Sequence, residues 1–496
     1  MSGRHLAIEV IVPGRCAQYW HQVLLERLAA AGHAVAVVTD EVADPWPAWV
    51  NGTLGLERRL FRRRAQALAS QIEPLVSGTR HVAPNLGVDL SGNASVQDVP
   101  TLALRCDGAY DVHVLPALVA AGRLPVLEVV LDGVNVVGRA WPMIDRREAV
   151  SLGVEDVLAR AITLLVSAVE TFAANRLNPH EDIATDQTEH QFLPAYLTCA
   201  LPRLGREAWR RLRFRQAHWR VGYRFHDGPG VVDTGRLGTG WRVLMDAGDR
   251  FYADPFVFHW QGRVFLFVED YPHAAGKAVI SVVPFSASGV PQAARVILEE
   301  PHHLSYPQVF DWEGSIWMLP EASASGKLTL YRAEDFPDRW RAEAVLVEGE
   351  ISDATLLAHG GRLWLFATDR DGFGSTSDTL VIFEAEALTG PWRPHRLNPI
   401  LIDRRSARPG GAFVRDCVGR LLMPVQDGTL GYGGGLGLSE LLALDSDTVQ
   451  FSPPIPVLTD GDWPYPRIHT LNRSGPLEVI DGIVPIRRPL RENSAS

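Results

Sequence analysis

The chain has 496 residues, 46% of them hydrophobic and 21% charged, a composition that excludes a disordered chain and allows two or three globular domains. A formal net charge of −10 argues against nucleic acid as the main partner. No apolar run reaches the roughly 18 residues needed to span a bilayer, and the apolar run before Pro13 is too short for a secretory leader, so a cytoplasmic protein is expected.

The opening residues predict an α/β start. Strand His5 to Val12 leads into a helix from Ala17 to Ala31, with an apolar face at Trp20, Val23, Leu24 and Leu28, and then strand His33 to Thr39. The first loop, Pro13-Gly14-Arg15-Cys16, matches neither GxGxxG nor a phosphate loop, which makes a nucleotide site there the minority reading. Further on, the pattern predicts a helix from Leu56 to Ile72 and short strands at His81–Val82, Thr101–Leu104 and Tyr110–Leu115. A long helix from Val154 to Asn175 follows, with Glu155 and Asp156 in its first turn. Cys16, Cys106, Cys199 and Cys417 show no metal spacing and read as reduced thiols.

The order of these elements over residues 1–200 resembles the formyltransferase-like region that precedes propeller repeats in some bacterial proteins. That family uses an Asn, a His and an Asp for formyl transfer. His113 is the nearest histidine to the LPALVAAG segment, and no matching set accompanies it, so the resemblance implies a degenerate domain that binds, positions or oligomerises. Residues 201–218 read as a basic linker helix. The stretch Arg203 to Arg220 is rich in arginine and tryptophan, which suits either an anionic lipid surface or a solvated interdomain helix.

From about Trp219 the composition changes. Ten of the 14 tryptophans lie at or beyond Trp209, and glycine-bounded short strands replace the helices, which places a domain boundary there. The segment FYADPFVFHWQGRVFLFVED, starting at Phe251, reads as two strands about a turn, and similar segments recur around Gly314, Gly361, Gly419 and, more weakly, Gly475. Steps of roughly 50 residues are the length of a four-stranded blade, which buries its faces only against neighbouring copies. The expectation is an α/β N-terminal domain followed by an all-β five-bladed β-propeller over residues 219–496. Strand Trp219 to Phe225 would pair with the last blade.

Eight residues before successive turn glycines stand Asp254, Tyr306, Asp353 and Gly411. Seven after them stand Glu269, Glu321, Thr368 and Gln426. If each hairpin returns to the level at which it began, these positions share one funnel. Asp254, Asp353 and Glu321 are the candidate catalytic groups; Glu269, Tyr306 and His469 are the candidate substrate-binding groups. Trp260, Trp312, Trp317 and Trp364 read as packing between blades rather than as sugar platforms. Gly431 to Gly437, GYGGGLG, lacks a phosphate-loop lysine and reads as a flexible connection. No cofactor is required, although calcium in the funnel is possible.

The Asp254-Pro255 and Asp353 pattern is similar to the five-bladed fold of glycoside hydrolase family 43 and the invertases. That resemblance implies an Asp base or nucleophile in the first blade and a tuning Asp in the third. Its general-acid Glu falls on Gly410-Gly411 here, leaving Glu321 or Glu269 to substitute. The Ser305-Tyr306-Pro307 and Pro320-Glu321 pairs resemble more closely the propeller region at the N-terminus of plant glucosamine inositolphosphorylceramide transferases. The implied partner is a carbohydrate or nucleotide sugar, and the implied work is on surface glycan or glycolipid precursors, with glycan binding alone or glycoside hydrolysis as alternatives. The oligomeric state is open.

Overall fold

The computed structural model describes residues 4–14, 17–40, 46–61, 66–73, 75, 83–92, 98–183, 191–215, 217–465 and 467–488. The chain divides into two compact units, one of Met1–Ala208 with Phe373–Ser375, the other of Trp209–Gly372 with Thr376–Ser496.

In the first unit, strand Ala7–Pro13 pairs in parallel with Ala34–Asp40 on one side and Leu86–Asp89 on the other. Thr101–Cys106 continues the parallel run, and Leu127–Leu131 and Asn135–Trp141 extend it antiparallel. The central strand Ala7–Pro13 is almost wholly buried and almost wholly apolar, as a strand covered on both faces must be. Helix Tyr19–Ala30 buries Trp20, Val23, Leu24 and Leu28, the face expected from the periodicity. Helix Val150–Ala173 starts four residues earlier than the first-turn acids suggest. The Ser151 amide donates to Glu57 Oε2 at 2.8 Å, so Glu57 serves its N-terminus. Glu155 accepts instead from the Leu68 amide at 2.7 Å and pairs with Arg58 at 3.3 Å.

Two further expectations change. The helix placed at Leu56–Ile72 runs over Ala48–Leu60, entered from Pro47, whose fixed φ suits a helix start. Tyr110–Leu115 is not a strand: the Asp111 side chain accepts from the His113 amide at 2.7 Å, caps the turn Val112–Val114, and feeds helix Leu115–Ala120 with Pro116 in its first turn. The strand placed at His81–Val82 and the loop residues Arg15 and Cys16 lie outside the described residues. Among the described residues no helix is long and apolar enough to cross a membrane.

The second unit is mostly β, with propeller-like sheets. The Asp254 sheet has strands Arg250–Trp260, Arg263–Pro272, Val279–Pro284 and Arg295–Leu298 in sequential order, and the Tyr306 sheet repeats this with Ser305–Trp312, Ser315–Glu321, Lys327–Asp335 and Arg339–Glu348. The Asp353 sheet starts with Ile351–His359, Arg362–Asp369 and Thr379–Ala385. The Arg408 sheet is built on Leu421–Gln426 and Leu436–Leu444. In the Asp481 sheet, Trp219–Phe225 pairs antiparallel with Leu477–Ile483, the partner expected for it, so the chain's return is held by backbone hydrogen bonds.

Apolar clusters lie between sheets. Phe256, Phe265 and Phe267 pack with Tyr306, Met318 and Tyr331, and Trp317 and Leu330 pack with Leu363 and Val381. Trp364 and Phe366 meet Met423 and Val425, Leu436 meets Leu471 and Ile480, and Val221 and Val479 meet Leu266 and Val283. Trp312, Trp317 and Trp364 lie in or against these clusters, and Trp260 packs against Phe336, which is the packing role expected of them.

Candidate active site

The first strand of three successive sheets carries the same irregularity at the same place. Register shifts fall at Ser305/Gln308 and Ser352/Thr355, and at Phe267/Glu269 on the strand facing Asp254. At each shift one non-glycine residue adopts a left-handed backbone: Asp254 (φ 46°), Tyr306 (φ 47°) and Asp353 (φ 49°). A bulge re-aims a side chain out of the strand's alternation, and a left-handed residue other than glycine costs of order 1–3 kcal/mol. The partners opposite the preceding residue are Glu269 (facing Ala253), Glu321 (facing Ser305) and Thr368 (facing Ser352). The eight-before, seven-after register therefore corresponds to real cross-strand neighbours.

The fourth repeat departs from this pattern for a steric reason. A Cβ on Gly411 would sit 2.0 Å from the Leu471 carbonyl oxygen, and one on Gly410 would sit 2.6 Å from Leu436 Cδ1 and 2.9 Å from the His469 carbonyl oxygen. Backbone meets backbone there, leaving no room for an acidic side chain. The residue facing Gln426 is Arg408, which supplies a cation instead.

Asp254 is buried. Its Oδ1 accepts from Thr470 Oγ1 at 2.9 Å and lies 3.5 Å from His469 Nε2, and its amide donates to Asp481 Oδ2 at 3.1 Å. The other face of His469 is engaged too: Nδ1 lies 2.7 Å from Asp481 Oδ1, and Trp219 stacks on the ring at 4.0 Å. Burial pushes the Asp254 carboxyl up to about 6, against the pull of His469 and with the push of Asp353 and Asp481. Burial works against a charged His469, yet Asp481 and then Asp254 overcome it and raise its pKa.

Asp353 accepts from Arg408 Nε at 2.6 Å and from Gln426 Nε2 at 2.6 Å. Burial pushes its carboxyl up to about 7 although the Arg408 guanidinium favours the anion, because Glu321 adds like charge. Glu321 is spent as an acceptor: its oxygens receive the Asp353 amide at 3.2 Å, Ser323 Oγ at 2.9 Å and Arg408 Nη2 at 3.4 Å. Glu269 is different. Buried, with His303 Nε2 3.4 Å away, it is pushed well above the carboxylate range by burial and then by Asp254, Glu321, Asp481 and Asp353. Tyr306, fully buried, exchanges a hydrogen bond with Thr355 Oγ1 at 2.9 Å, and burial raises its phenol too.

All six candidate residues thus belong to one buried set, linked by contacts or by mutual electrostatic influence. Sequence reasoning missed two further buried members, Asp481 and Arg408, and the half-exposed Tyr432 beside them. Asp481 stands as a lone charge inside the apolar strand LEVIDGI, which was a usable signal. Arg408 sits beside the glycine pair and gave none. Tyr432 comes from the glycine-rich stretch read as a flexible connection. Here that loop is seated, since a Cβ on Gly433 would lie 2.3 Å from Trp219, and Tyr432 faces Arg408 at 5.3 Å and His469 at 5.5 Å. Asp254, His469 and Asp481 also offer ligand atoms within 4.8 Å of one another, a grouping a divalent cation could use. His469 Nδ1 is already paired with Asp481, however, so the set as it stands is an Asp–His–Asp relay.

Residues 243–451 match the family model for the N-terminal region of glucosamine inositolphosphorylceramide transferase 1. The matched segment holds Asp254, Glu269, Tyr306, Glu321, Asp353, Arg408 and Tyr432; His469 and Asp481 lie beyond it. The chain is 35% identical over 202 residues to glucosamine inositolphosphorylceramide transferase 1 of Arabidopsis thaliana, covering 40% of this chain and 26% of that protein. It is 34% identical over 209 residues to the protein of the same name from Oryza sativa subsp. japonica, covering 41% and 28%. The chain thus spans about a quarter of the length of these curated relatives. A thermostable family-43 glycoside hydrolase overlays with a TM-score of 0.37 at 13% identity, covering 48% of this chain and 86% of that one. An α-L-arabinofuranosidase from Podospora anserina gives 0.35 at 15% identity, covering 50% and 82%. Over residues 243–451, this chain is similar to the N-terminal region of the glucosamine inositolphosphorylceramide transferases.

Proposed function

We infer that the second unit is a closed five-bladed β-propeller, that the first is an α/β domain, and that the buried acids line a funnel in which a sugar of a glycan or glycolipid precursor is bound and transferred. The return pairing of Trp219–Phe225 and the apolar clusters between successive sheets support closure. The similarity of residues 243–451 to a transferase region supports the substrate class.

The observation that carries the reading is the division of labour among the carboxyls. Asp254, tuned to about 6 and backed by His469 and Asp481, is suited to take a proton from an attacking hydroxyl near neutral pH. Glu269, its pKa raised by burial and by the neighbouring acids, is suited to give one to a leaving oxygen. Glu321, bound by four donors, fits a positioning role better than the acid role. Asp353, clamped by Arg408 and Gln426, fixes the floor.

The test is a screen of nucleotide sugars and lipid-linked acceptors for product, with calorimetry for binding, repeated on Asp254→Asn. The expected result is a turnover loss of roughly 100- to 10,000-fold with binding retained. Full turnover in that variant removes the base from the scheme. Binding without product from any donor makes the funnel a glycan-binding site.

A further inference from the structure

Helix Phe192–Ala195, the π turn Tyr196–Ala200 and helix Leu201–Arg213 follow one another without a break, and the last of them has no buried residue. Helices in folded proteins draw most of their stability from an apolar face packed on something, yet the side this helix lays against the chain holds Arg203, which donates to the Val119 carbonyl at 3.0 Å, with Leu204, Glu207, Arg210 and Arg211 half-buried, so most of its apolar face is left uncovered. The apolar residues are there but face outward. Leu193, Leu197 and Leu201 are 51%, 54% and 49% exposed, and steps of four residues keep them on one side. Trp49, 48% exposed, lies with its ring 5.5 Å from that of Phe192. Behind Trp49 and Leu193 is a cavity of ≈ 600 Å³, walled by Trp46, Val50, Pro116 and Phe192, with His113 and Gln191 its polar members. Apolar side chains exposed together beside a cavity mark an interaction surface.

The charge on the same helix identifies the use. LPRLGREAWRRLR carries five arginines and one glutamate in a chain whose net charge is −10. We propose that this helix face docks on an anionic lipid bilayer, with the leucines and Trp49 at the acyl boundary and the exposed Arg206 and Arg213 among the headgroups. A basic helix with an apolar stripe is the chemistry of an interfacial helix, and each arginine near an anionic surface strengthens partitioning by roughly fivefold. A polyanion such as nucleic acid would leave the leucines in water. A second copy meeting this face symmetrically would set arginines against arginines.

The experiment sediments the full chain with vesicles of phosphatidylcholine alone and of phosphatidylcholine with phosphatidylserine. Binding to the anionic vesicles at least roughly tenfold over the neutral ones, weakening with salt, is expected. The triple variant Leu193→Ser, Leu197→Ser, Leu201→Ser should lower it roughly a hundredfold, and Arg206→Glu with Arg213→Glu at least roughly tenfold. The arginine variant should keep its circular dichroism and urea midpoint, because Arg206 and Arg213 are exposed, and so reads the surface contact apart from any loss of stability in the half-buried leucine variant. The proposal is overturned by wild-type chain that stays in the supernatant with anionic vesicles, or by a leucine variant that binds as well as wild type. It is overturned equally by a dimer, abolished by the leucine variant, in a chain that ignores vesicles. None of these outcomes bears on sugar transfer, which is read from product formation in solution.

Discussion

Replacing Asp254 by Asn should make the protein more stable relative to wild type as pH rises, although it removes a native charge. Folding raises the Asp254 carboxyl from 3.8 to about 6. A carboxyl raised on folding contributes stability that is complete below its unfolded value and is lost as pH climbs through the folded one. Between about pH 4 and about pH 6 the native state therefore gives up about 3 kcal/mol that an amide at the same place never forfeits. His469 adds to the trend: raised on folding by Asp481 and Asp254, it too loses its contribution as pH rises, and it loses less once Asp254 is neutral. The hydrogen bond from Thr470 favours the anion, and its effect is already contained in the raised value. Urea midpoints for both proteins across that range measure the difference directly, and groups elsewhere cancel in the subtraction. The expected curve gains about 3 kcal/mol for the variant by about pH 6 and rises further above that as His469 titrates. A flat difference, or a variant that weakens as pH rises, would refute the assignment of Asp254 as a carboxyl held against its will to ionise.

Two further substitutions separate the other acids. Glu269→Gln should leave the urea midpoint near neutral pH within about 0.5 kcal/mol, since an amide imitates a protonated carboxyl, while any product formation drops by roughly 100-fold or more; a large stability change would mean that Glu269 is ionised. Arg408→Met strands Asp353 and Glu321 without their guanidinium, so about 3 to 5 kcal/mol should be lost near neutral pH, with partial recovery as pH falls and Asp353 takes up a proton; an unchanged midpoint by urea titration would show that the pair carries no buried charge.

The repeat was legible because its determinants are local. A turn glycine, an apolar strand after it and an acid at a fixed offset depend only on neighbours in sequence, so Asp254, Tyr306, Asp353, Glu269 and Glu321 could all be placed by counting. The limit appears where the determinant is a neighbouring sheet. Nothing within RPGGAFV says that Gly411 must pass under the Leu471 carbonyl, yet that approach excludes an acid and leaves Arg408 facing Gln426. Tyr432 was lost for the complementary reason. Glycines around it suggest freedom, whereas Gly433 is required there by the closeness of Trp219. In the first unit the errors were of boundary and type. Asp111 acts through its side chain on a backbone amide two residues on, and this local capping outweighs the strand-like alternation of YDVHVL.

The repeated left-handed residue also bears on whether the acids are structural. Were Asp254 and Asp353 retained for stability, their backbone strain and their burial would have to be outweighed by what they pair with. Asp353 has Arg408, but Asp254 has a hydroxyl and a histidine whose nearer partner is Asp481, and its carboxyl is pushed up rather than down. A left-handed aspartate and a desolvated carboxyl each cost free energy, and asparagine or glycine would meet the backbone demand with neither charge nor desolvation. Tyr306, held in the same conformation by the second sheet, keeps its phenol within the influence of both aspartates at a similar backbone cost. Strain placed three times at one level of successive sheets, each time behind a polar side chain sent towards the same charges, is better explained by a ligand that those side chains must reach than by the needs of the sheets themselves.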